Sequence, residues 1–453
     1  MMGYALRSGR LGMAGLGLLA ALALTACDNA ATTVTPLPAA APAPAPGTAA
    51  TAPVWSKVSA GGYHGLATKS DGTLWGWGYA WDGQIGNGTQ GDPTPSGGST
   101  GYISKPVQVG AATDWASVSA GDFHTLAVKA DGSLWSWGYN WYGQLGNGAT
   151  LSSLIPVRVG AATDWSMVAA GGGYTVALKK NGSVWAWGYN VYGQLGDTTG
   201  VNSSTPQPVC APGSTSTPCA ALTGVVYVAA GPYHALAVKA DGTVWGWGNN
   251  FESELGTGTG PSYITAPVQV CQTYTTICTA YLTNVTAVSA GFYHSLALKG
   301  DGTAWAWGYN GFGGTGVGTT VASVQPTAAQ VCVAYDPGTA TCTGYLTGVV
   351  ALDAGIGHSL ARKGDGTLWS WGDNYNGQLG DGTLSLRAVA AQVGAASDWA
   401  GIPSGGNAFS FGLKADGSLW GWGKDDQWDF QLGQPATELC GGNGCITKPA
   451  RMN

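Results

Sequence analysis

The chain has little charge. It carries 18 Lys and Arg and 24 Asp and Glu in 453 residues, 9% in all, where about a quarter is usual. Ion-pair networks therefore cannot hold much of it together. The balance is acidic, with a formal net charge of -6. That excludes the basic footprint needed to bind a phosphate backbone, so no nucleic acid is expected as a partner. A long apolar run occurs only at Leu11 to Leu24, near the amino terminus. Catalytic signatures are missing too. There is no His-Glu-x-x-His, no glycine loop ending in Gly-Lys-Ser/Thr, and no Gly-x-Ser-x-Gly in a strand–turn–helix setting. Neither a cofactor nor a metal is expected.

What is present in excess is glycine, 76 residues, and tryptophan, 21. Both belong to a repeat, whose plainest copy runs from Ala120 to Gly146. A turn residue marks each copy: Asp71, Asp131, Asn181, Asp241, Asp301, Asp365 and Asp416. Seven units of roughly 50 to 65 residues result, and repeats must be found before any local reading. In the second copy two apolar runs, Leu126–Lys129 and Ser133–Trp137, flank Asp131-Gly132. That is a hairpin signal. Trp135 and Trp137 lie two apart, hence on one side of their strand, with a small residue between them in every copy. A glycine loop follows, Gly143-Gln144-Leu145-Gly146, then Pro156–Val159 and Trp165–Ala170 as further strands. Four short strands per unit, in seven units, predict an all-β fold: a seven-bladed β-propeller with four-stranded antiparallel blades over residues 53–453. Sheets with two apolar faces bury them against one another around a ring.

The pattern Gly-x-x-His-x-Leu-Ala-x-Lys-x-Asp-Gly-x-x-Trp-x-Trp-Gly-x-Asn-x-x-Gly-Gln-Leu-Gly resembles the repeat of the regulator of chromosome condensation family, from about Val54 to Met452. The resemblance implies a seven-bladed propeller. It also implies guanine nucleotide exchange and chromatin binding, but no residues of this chain match those sites by motif. A secreted bacterial inhibitor of β-lactamase is similar in fold, which raises inhibition of an exported enzyme as an alternative. An envelope hydrolase is a further one, with Asp425, Asp426 and Asp429 beside Trp428 as its acids. All five histidines, His64, His124, His234, His294 and His358, hold one repeat position, filled by Tyr174 and Phe409 in the other copies. Residues so spaced fall in different blades, so they read as structural rather than as a cluster.

The amino terminus reads as targeting. Arg7 and Arg10 precede the apolar run, and Leu24-Thr25-Ala26-Cys27 resembles a bacterial lipobox. Residues 1–26 are then a signal peptide, Cys27 the lipidated residue, and 27–52 a Pro/Ala-rich tether. The expected location is an exported, membrane-anchored one, facing the periplasm or cell exterior. The other eight of nine cysteines fall into local pairs: Cys210/Cys219, Cys271/Cys278, Cys332/Cys342 and Cys440/Cys445. With two Cys per loop and no His, disulfides are expected rather than metal sites. Tyr274, Tyr281, Tyr335 and Tyr345 lie in or beside two of these loops. They either form a binding site on the face of the Asp-Gly turns or cover the outer edge of the ring. The reading is a non-enzymatic envelope scaffold for a protein or glycan partner.

Overall fold

A computed structural model describes residues 52–93, 100–214, 219–258, 262–320, 323–425, 431–433, 438–440 and 443–452. The signal, Cys27 and nearly all of the tether lie outside the described residues, as do Asp426, Trp428 and Asp429.

The second blade shows how the repeat folds. Its strands are Trp115–Ala120, His124–Lys129, Leu134–Gly138 and Ser153–Arg158, paired antiparallel in that order from the ring's centre outward. Six blades follow this plan, and the seventh adds a short outer strand, Glu438–Cys440, beside Asn443–Arg451. The second and third strands meet in the Asp-Gly turn. The Asp131 carboxylate accepts the Ser133 N–H at 2.8 Å. Gly132 has φ +80°, and a Cβ there would sit 2.2 Å from the Thr163 carbonyl of the next connection. Glycine is thus required twice, for the turn and for the neighbour.

The second tryptophan of every pair is fully buried, from Trp77 to Trp422. Its indole N–H donates to a loop carbonyl of the preceding blade: Trp137 to Gln84 at 3.0 Å, Trp187 to Gln144 at 2.9 Å, Trp247 to Gln194 at 2.8 Å. The first tryptophan is half-buried. It donates to the hydroxyl beside the turn, as Trp135 does to Ser133 at 3.0 Å, and Lys129 lies over its ring. The small residue between the two is explained by the glycine loop. The Leu145 side chain is wholly buried, and the Ser136 hydroxyl donates to the Leu145 carbonyl at 2.7 Å. At Gly76 a Cβ would already be 3.1 Å from Ile85 of the equivalent loop. Apolar clusters accordingly mix blades. Leu126, Val128 and Leu134 of the second pack with Val168, Ala170 and Trp187 of the third.

The histidines form a latch between blades. Nε2 of His124 lies 3.2 Å from the Thr175 hydroxyl of the next blade, and that hydroxyl donates to the Gln144 carbonyl at 2.9 Å. The hydroxyl's one proton is committed to the carbonyl, so the imidazole N–H must be the donor to the hydroxyl oxygen. The same chain of bonds links His64 to Thr125, His234 to Ser295, His294 to Ser359 and His358 to Ser410. Where an aromatic replaces the histidine, the partner hydroxyl is also gone. Tyr174 faces a blade with Ala235 at that place, and Phe409 faces one with Gly65. Tyr174 instead donates to the His234 carbonyl at 2.6 Å. We predict that Tyr174→His alone lowers stability by about 1–3 kcal/mol, because a buried N–H loses any acceptor. Adding Ala235→Ser should recover much of it. A double-mutant cycle in urea checks this; additive effects would disprove the pairing.

The ring closes without exchange of strands. The first blade is built from 55–108 and the last from 399–451, each contiguous. The seam is held by Trp77 against Phe411 at 5.4 Å, by Trp77 Nε1 donating to the Gln431 carbonyl at 2.9 Å, and by Trp55 N–H to the Gly417 carbonyl at 3.2 Å.

All four cysteine pairs are bonded, with Cα separations of 5.4 Å for Cys210–Cys219, 5.8 Å for Cys271–Cys278, 5.7 Å for Cys332–Cys342 and 5.8 Å for Cys440–Cys445. The first three share one design. Cys210, Cys271 and Cys332 are buried, and their N–H groups donate to the glycine-loop carbonyls of Gly196, Gly256 and Gly316. Their partners Cys219, Cys278 and Cys342 are half-buried on the returning chain. The bond therefore ties an inserted loop to a blade's fixed edge. Cys440–Cys445 is built differently. Both cysteines are buried, and the bond closes a hairpin within the seventh blade's own sheet, where Cys445 also pairs with Lys424. These eight cysteines are loop fasteners; none of them contributes a side chain to the surface described next.

Candidate recognition face

Loops of an antiparallel blade alternate between the two faces of the ring. One face carries the Asp-Gly turns. The other carries the short connections before each histidine and the glycine loops. On this second face the chain places three residues per blade side by side. In the second blade they are Phe123, Tyr139 and Tyr142. Gly138, at φ +99°, turns the third strand over so that Tyr139 N–H meets the Phe123 carbonyl at 2.8 Å. The Gln144 side-chain oxygen accepts the Tyr142 N–H at 3.0 Å and pins the loop.

Repeated around the ring, these positions make an arc of aromatic rings. Tyr63 stacks on Phe123 at 5.3 Å, Phe123 meets Tyr139 at 6.2 Å, and Tyr139 meets Tyr142 at 6.2 Å. Tyr142 reaches Tyr189 at 4.7 Å, Tyr189 reaches Tyr192, and Tyr192 reaches Tyr233 at 5.5 Å. The arc continues through Phe292, Tyr293 and Tyr309 to Phe312. It spans blades one to five. In blades six and seven the same positions hold Gly357 and Asp373, then Ala408 and Lys424. Apart from the buried Phe292, these rings are half-buried. Outside them the loop tips present Trp81, Trp141, Phe251 and Tyr375, of which Trp141 is 73% exposed. Burial, then neighbouring carboxylates and phenols, raise the hydroxyls of Tyr139, Tyr189, Tyr233 and Tyr293 above the ordinary phenol range; beside Tyr233 and Tyr293 the carboxylates Asp122 and Glu252 outweigh the phenols. They therefore stay neutral and can donate or accept.

Carboxylates are set among the rings. Asp82 and Glu252 are held above the ordinary carboxylate range by burial. Asp373, raised by the same cause, lies with Phe312 against Gly357, where a Cβ would be 3.2 Å from each. Asp122 is buried at the mouth of the central opening, beside Gly62 and Gly172.

The tyrosines singled out from sequence lie elsewhere. Cys271–Tyr274 and Cys278–Tyr281 form one two-stranded hairpin, Cys332–Asp336 and Thr341–Tyr345 its equivalent. Each chain leaves its blade on the Asp-Gly side, but the hairpin folds back along the rim, in both cases against the outer strand of the next blade. Tyr274 and Tyr335 cover Gly258 and Gly318 of the glycine-loop connections. Tyr281 and Tyr345 are each 47% exposed. Tyr281 lines a shallow hollow of about 810 Å³ with Trp245, Tyr263 and Pro267. The four are thus two equivalent pairs on separate blades.

Asp425 has a structural place. Its carboxylate accepts the Leu432 N–H at 3.1 Å, as Asn140 accepts the Leu145 N–H at 2.9 Å. Gln431-Leu432-Gly433 is therefore the seventh glycine loop. The aromatic arc does have a sequence signal, in residues that the repeat pattern leaves as variable. An aromatic stands one residue before His, and another directly after Trp-Gly, in most copies.

A closed ring of seven blades with an aromatic loop face defines a β-propeller scaffold. The RCC1-like domain matches residues 7–283, and the regulator of chromosome condensation (RCC1) repeat matches 285–313, 349–378 and 365–392. The chain belongs to this family of RCC1-repeat propellers. It is similar to the ultraviolet-B receptor UVR8 of Arabidopsis thaliana, 28% identical over 373 residues, 81% of this chain and 64% of that one. It is also similar to the human E3 ubiquitin-protein ligase HERC2, 28% identical over 74% of this chain but 5% of that protein. The chain thus spans only part of the length of these relatives. Among solved structures, human WBSCR16 superposes with a TM-score of 0.65 at 19% identity, over 84% of this chain and 94% of that one. Yeast RCC1 (Prp20), solved bound to Kap60, gives 0.63 at 18% identity, over 93% and 91%. At such identities the likeness concerns the fold.

Proposed function

We propose that this protein is a non-enzymatic binding scaffold of the cell envelope, engaging a protein or glycan through the aromatic arc. The continuous run of rings from Tyr63 to Phe312 carries this reading. Tyrosine offers large contact area with little rotamer entropy to lose, and rings locked by their neighbours are already ordered before a partner arrives. The yeast RCC1 (Prp20) structure with Kap60 has a ring of this shape with a protein partner. Export by residues 1–26, lipidation at Cys27 and a tether over 27–52 would hold the ring at a membrane surface, and this part of the proposal rests on sequence pattern. Inhibition of an exported enzyme is one form such binding could take.

A second surface is favoured by one observation, the half-exposed Tyr281 over its hollow. Capture from envelope extract separates the two. The full chain is compared with Tyr142→Ala/Tyr189→Ala and with Tyr281→Ala/Tyr345→Ala. Loss of capture in the first variant alone is the expected result. Loss in the second alone moves the site to the rim. Capture unchanged in both, with melting temperatures preserved, defeats the reading.

A further inference from the structure

Charge is sorted between the two faces of the ring. Every blade ends its second strand in a lysine: Lys69, Lys129, Lys179, Lys239, Lys299, Lys363 and Lys414. Each Nζ lies over a tryptophan of its own blade, at 3.9 Å for Lys69 and 5.8 Å for Lys239. These lysines stand beside the Asp-Gly turns, and their counter-ions are on the same side. Lys129 pairs with Asp114 at 2.9 Å, Lys179 with Asp164 at 3.1 Å, and Lys414 with Asp398 at 2.9 Å. That face neutralises itself.

The opposite face does not. Asp82, Glu252 and Asp373 sit among the rings of the arc, and among the described residues none of the three is in an ion pair. Asp82 acts electrostatically on Tyr139 and Glu252 on Tyr293, so rings and carboxylates are within reach of one another. Asp373 flanks Phe312. The one amino group at the equivalent inner positions is Lys424, in the blade where the rings are absent. A ring face and a carboxylate side by side attract the same thing, a cation: the ring through its quadrupole, the carboxylate through its charge. Sugars also stack on aromatic rings, but they bring no charge to meet partly desolvated carboxylates. The three acids lie in blades one, four and six, too far apart in the repeat for one small ion.

We propose that the aromatic arc binds a basic protein segment, with lysine or arginine side chains seated on the rings next to Asp82, Glu252 and Asp373. This rests on the arc being the recognition face and names the chemistry of its partner. The segment lies across the glycine-loop face, its cations spaced to reach more than one blade.

The test uses the full chain and synthetic peptides of one length: a lysine–glycine peptide, its arginine and glutamate versions, a serine–glycine peptide, and a neutral oligosaccharide. Binding is read by calorimetry and by tyrosine and tryptophan fluorescence, at low and at tenfold higher salt. Asp82→Asn/Glu252→Gln/Asp373→Asn removes the proposed charges. Asp131→Asn/Asp301→Asn/Asp416→Asn removes the same charge from the other face, at a turn position that already holds Asn181 in the third blade. The lysine and arginine peptides should bind, about tenfold more weakly at higher salt. The first triple variant should weaken them about tenfold or more, the second by less than about twofold. Equal weakening by both variants shows diffuse attraction to an acidic ring and overturns the proposal. So does binding of the glutamate peptide, the serine peptide or the oligosaccharide as tightly as the lysine peptide. If capture from extract is lost in Tyr142→Ala/Tyr189→Ala but kept in the first acid triple, the recognition face stands and the basic partner falls. If neither variant loses capture, both fall.

Discussion

Trp187→Ala should destabilise the ring by about 3–5 kcal/mol, the largest effect expected of any single substitution in this chain. The side chain is fully buried between the second and third blades. Its removal leaves a cavity facing Val159 and Val168. It also leaves the Gln144 carbonyl with only the Thr175 hydroxyl as donor. Trp185, two residues earlier, is half-buried, and Trp185→Ala should cost less than half as much. Urea denaturation of both variants checks the ordering. Equal losses would mean that the two rings do the same work, contrary to their burial.

Acidification should weaken the protein steeply between about pH 6.5 and 4. Burial holds His64, His124, His234 and His358 down to about 3 and His294 to about 4. In the unfolded chain the same groups take up protons near 6.5. Throughout the interval the unfolded state binds more protons, so stability falls as pH falls. Carboxyls raised by burial oppose this, Asp82, Glu252 and Asp373 among them, and Glu254 and Asp353 most strongly. Burial pushes Glu254 and Asp353 up to about 7. Their carboxyls are protonated in the native ring before they are in the unfolded chain, and they add stability on the way down. Each group is worth at most about 1.4 kcal/mol per pH unit. Five strongly lowered histidines against two strongly raised acids leave a net loss. Urea midpoints at pH 7, 6, 5 and 4 should fall in order. The pair His358→Phe/Ser410→Gly, which copies the seam residues Phe409 and Gly65, should flatten the slope by one group's share. A midpoint independent of pH would show that the imidazoles are not buried neutral.

The polar groups of the ring thus serve mainly to fasten blades. The latch hydroxyls, the tryptophan N–H groups and the loop carbonyls meet at one point in each junction. In a protein with so few charges, this local satisfaction replaces the ion pairs it lacks. It also explains why the repeat tolerates Tyr174 and Phe409. What matters at that place is that no N–H or hydroxyl is left over, and an aromatic next to Ala or Gly meets that condition as well as histidine next to Ser or Thr.

The blades themselves are legible in the sequence. The Asp-Gly turns, the Trp-x-Trp spacing and the recurrence in seven copies are local signals, and local chemistry decides a hairpin. The structural role of the histidines is legible too, from their single repeat position. So are the bonds of Cys210 to Cys219, Cys271 to Cys278, Cys332 to Cys342 and Cys440 to Cys445, from their closeness along the chain. The histidine's partner is not, because the hydroxyl it meets is 51 to 65 residues away in the next unit. Nor is the aromatic arc. Phe123 and Tyr142 are separated in sequence by a whole hairpin, and Tyr142 and Tyr189 belong to different blades. Composition and spacing determined that strands would form and repeat. Which side chains came to share a face was decided by closing those strands into a circle, since only the closed ring sets the loops of neighbouring blades within contact distance.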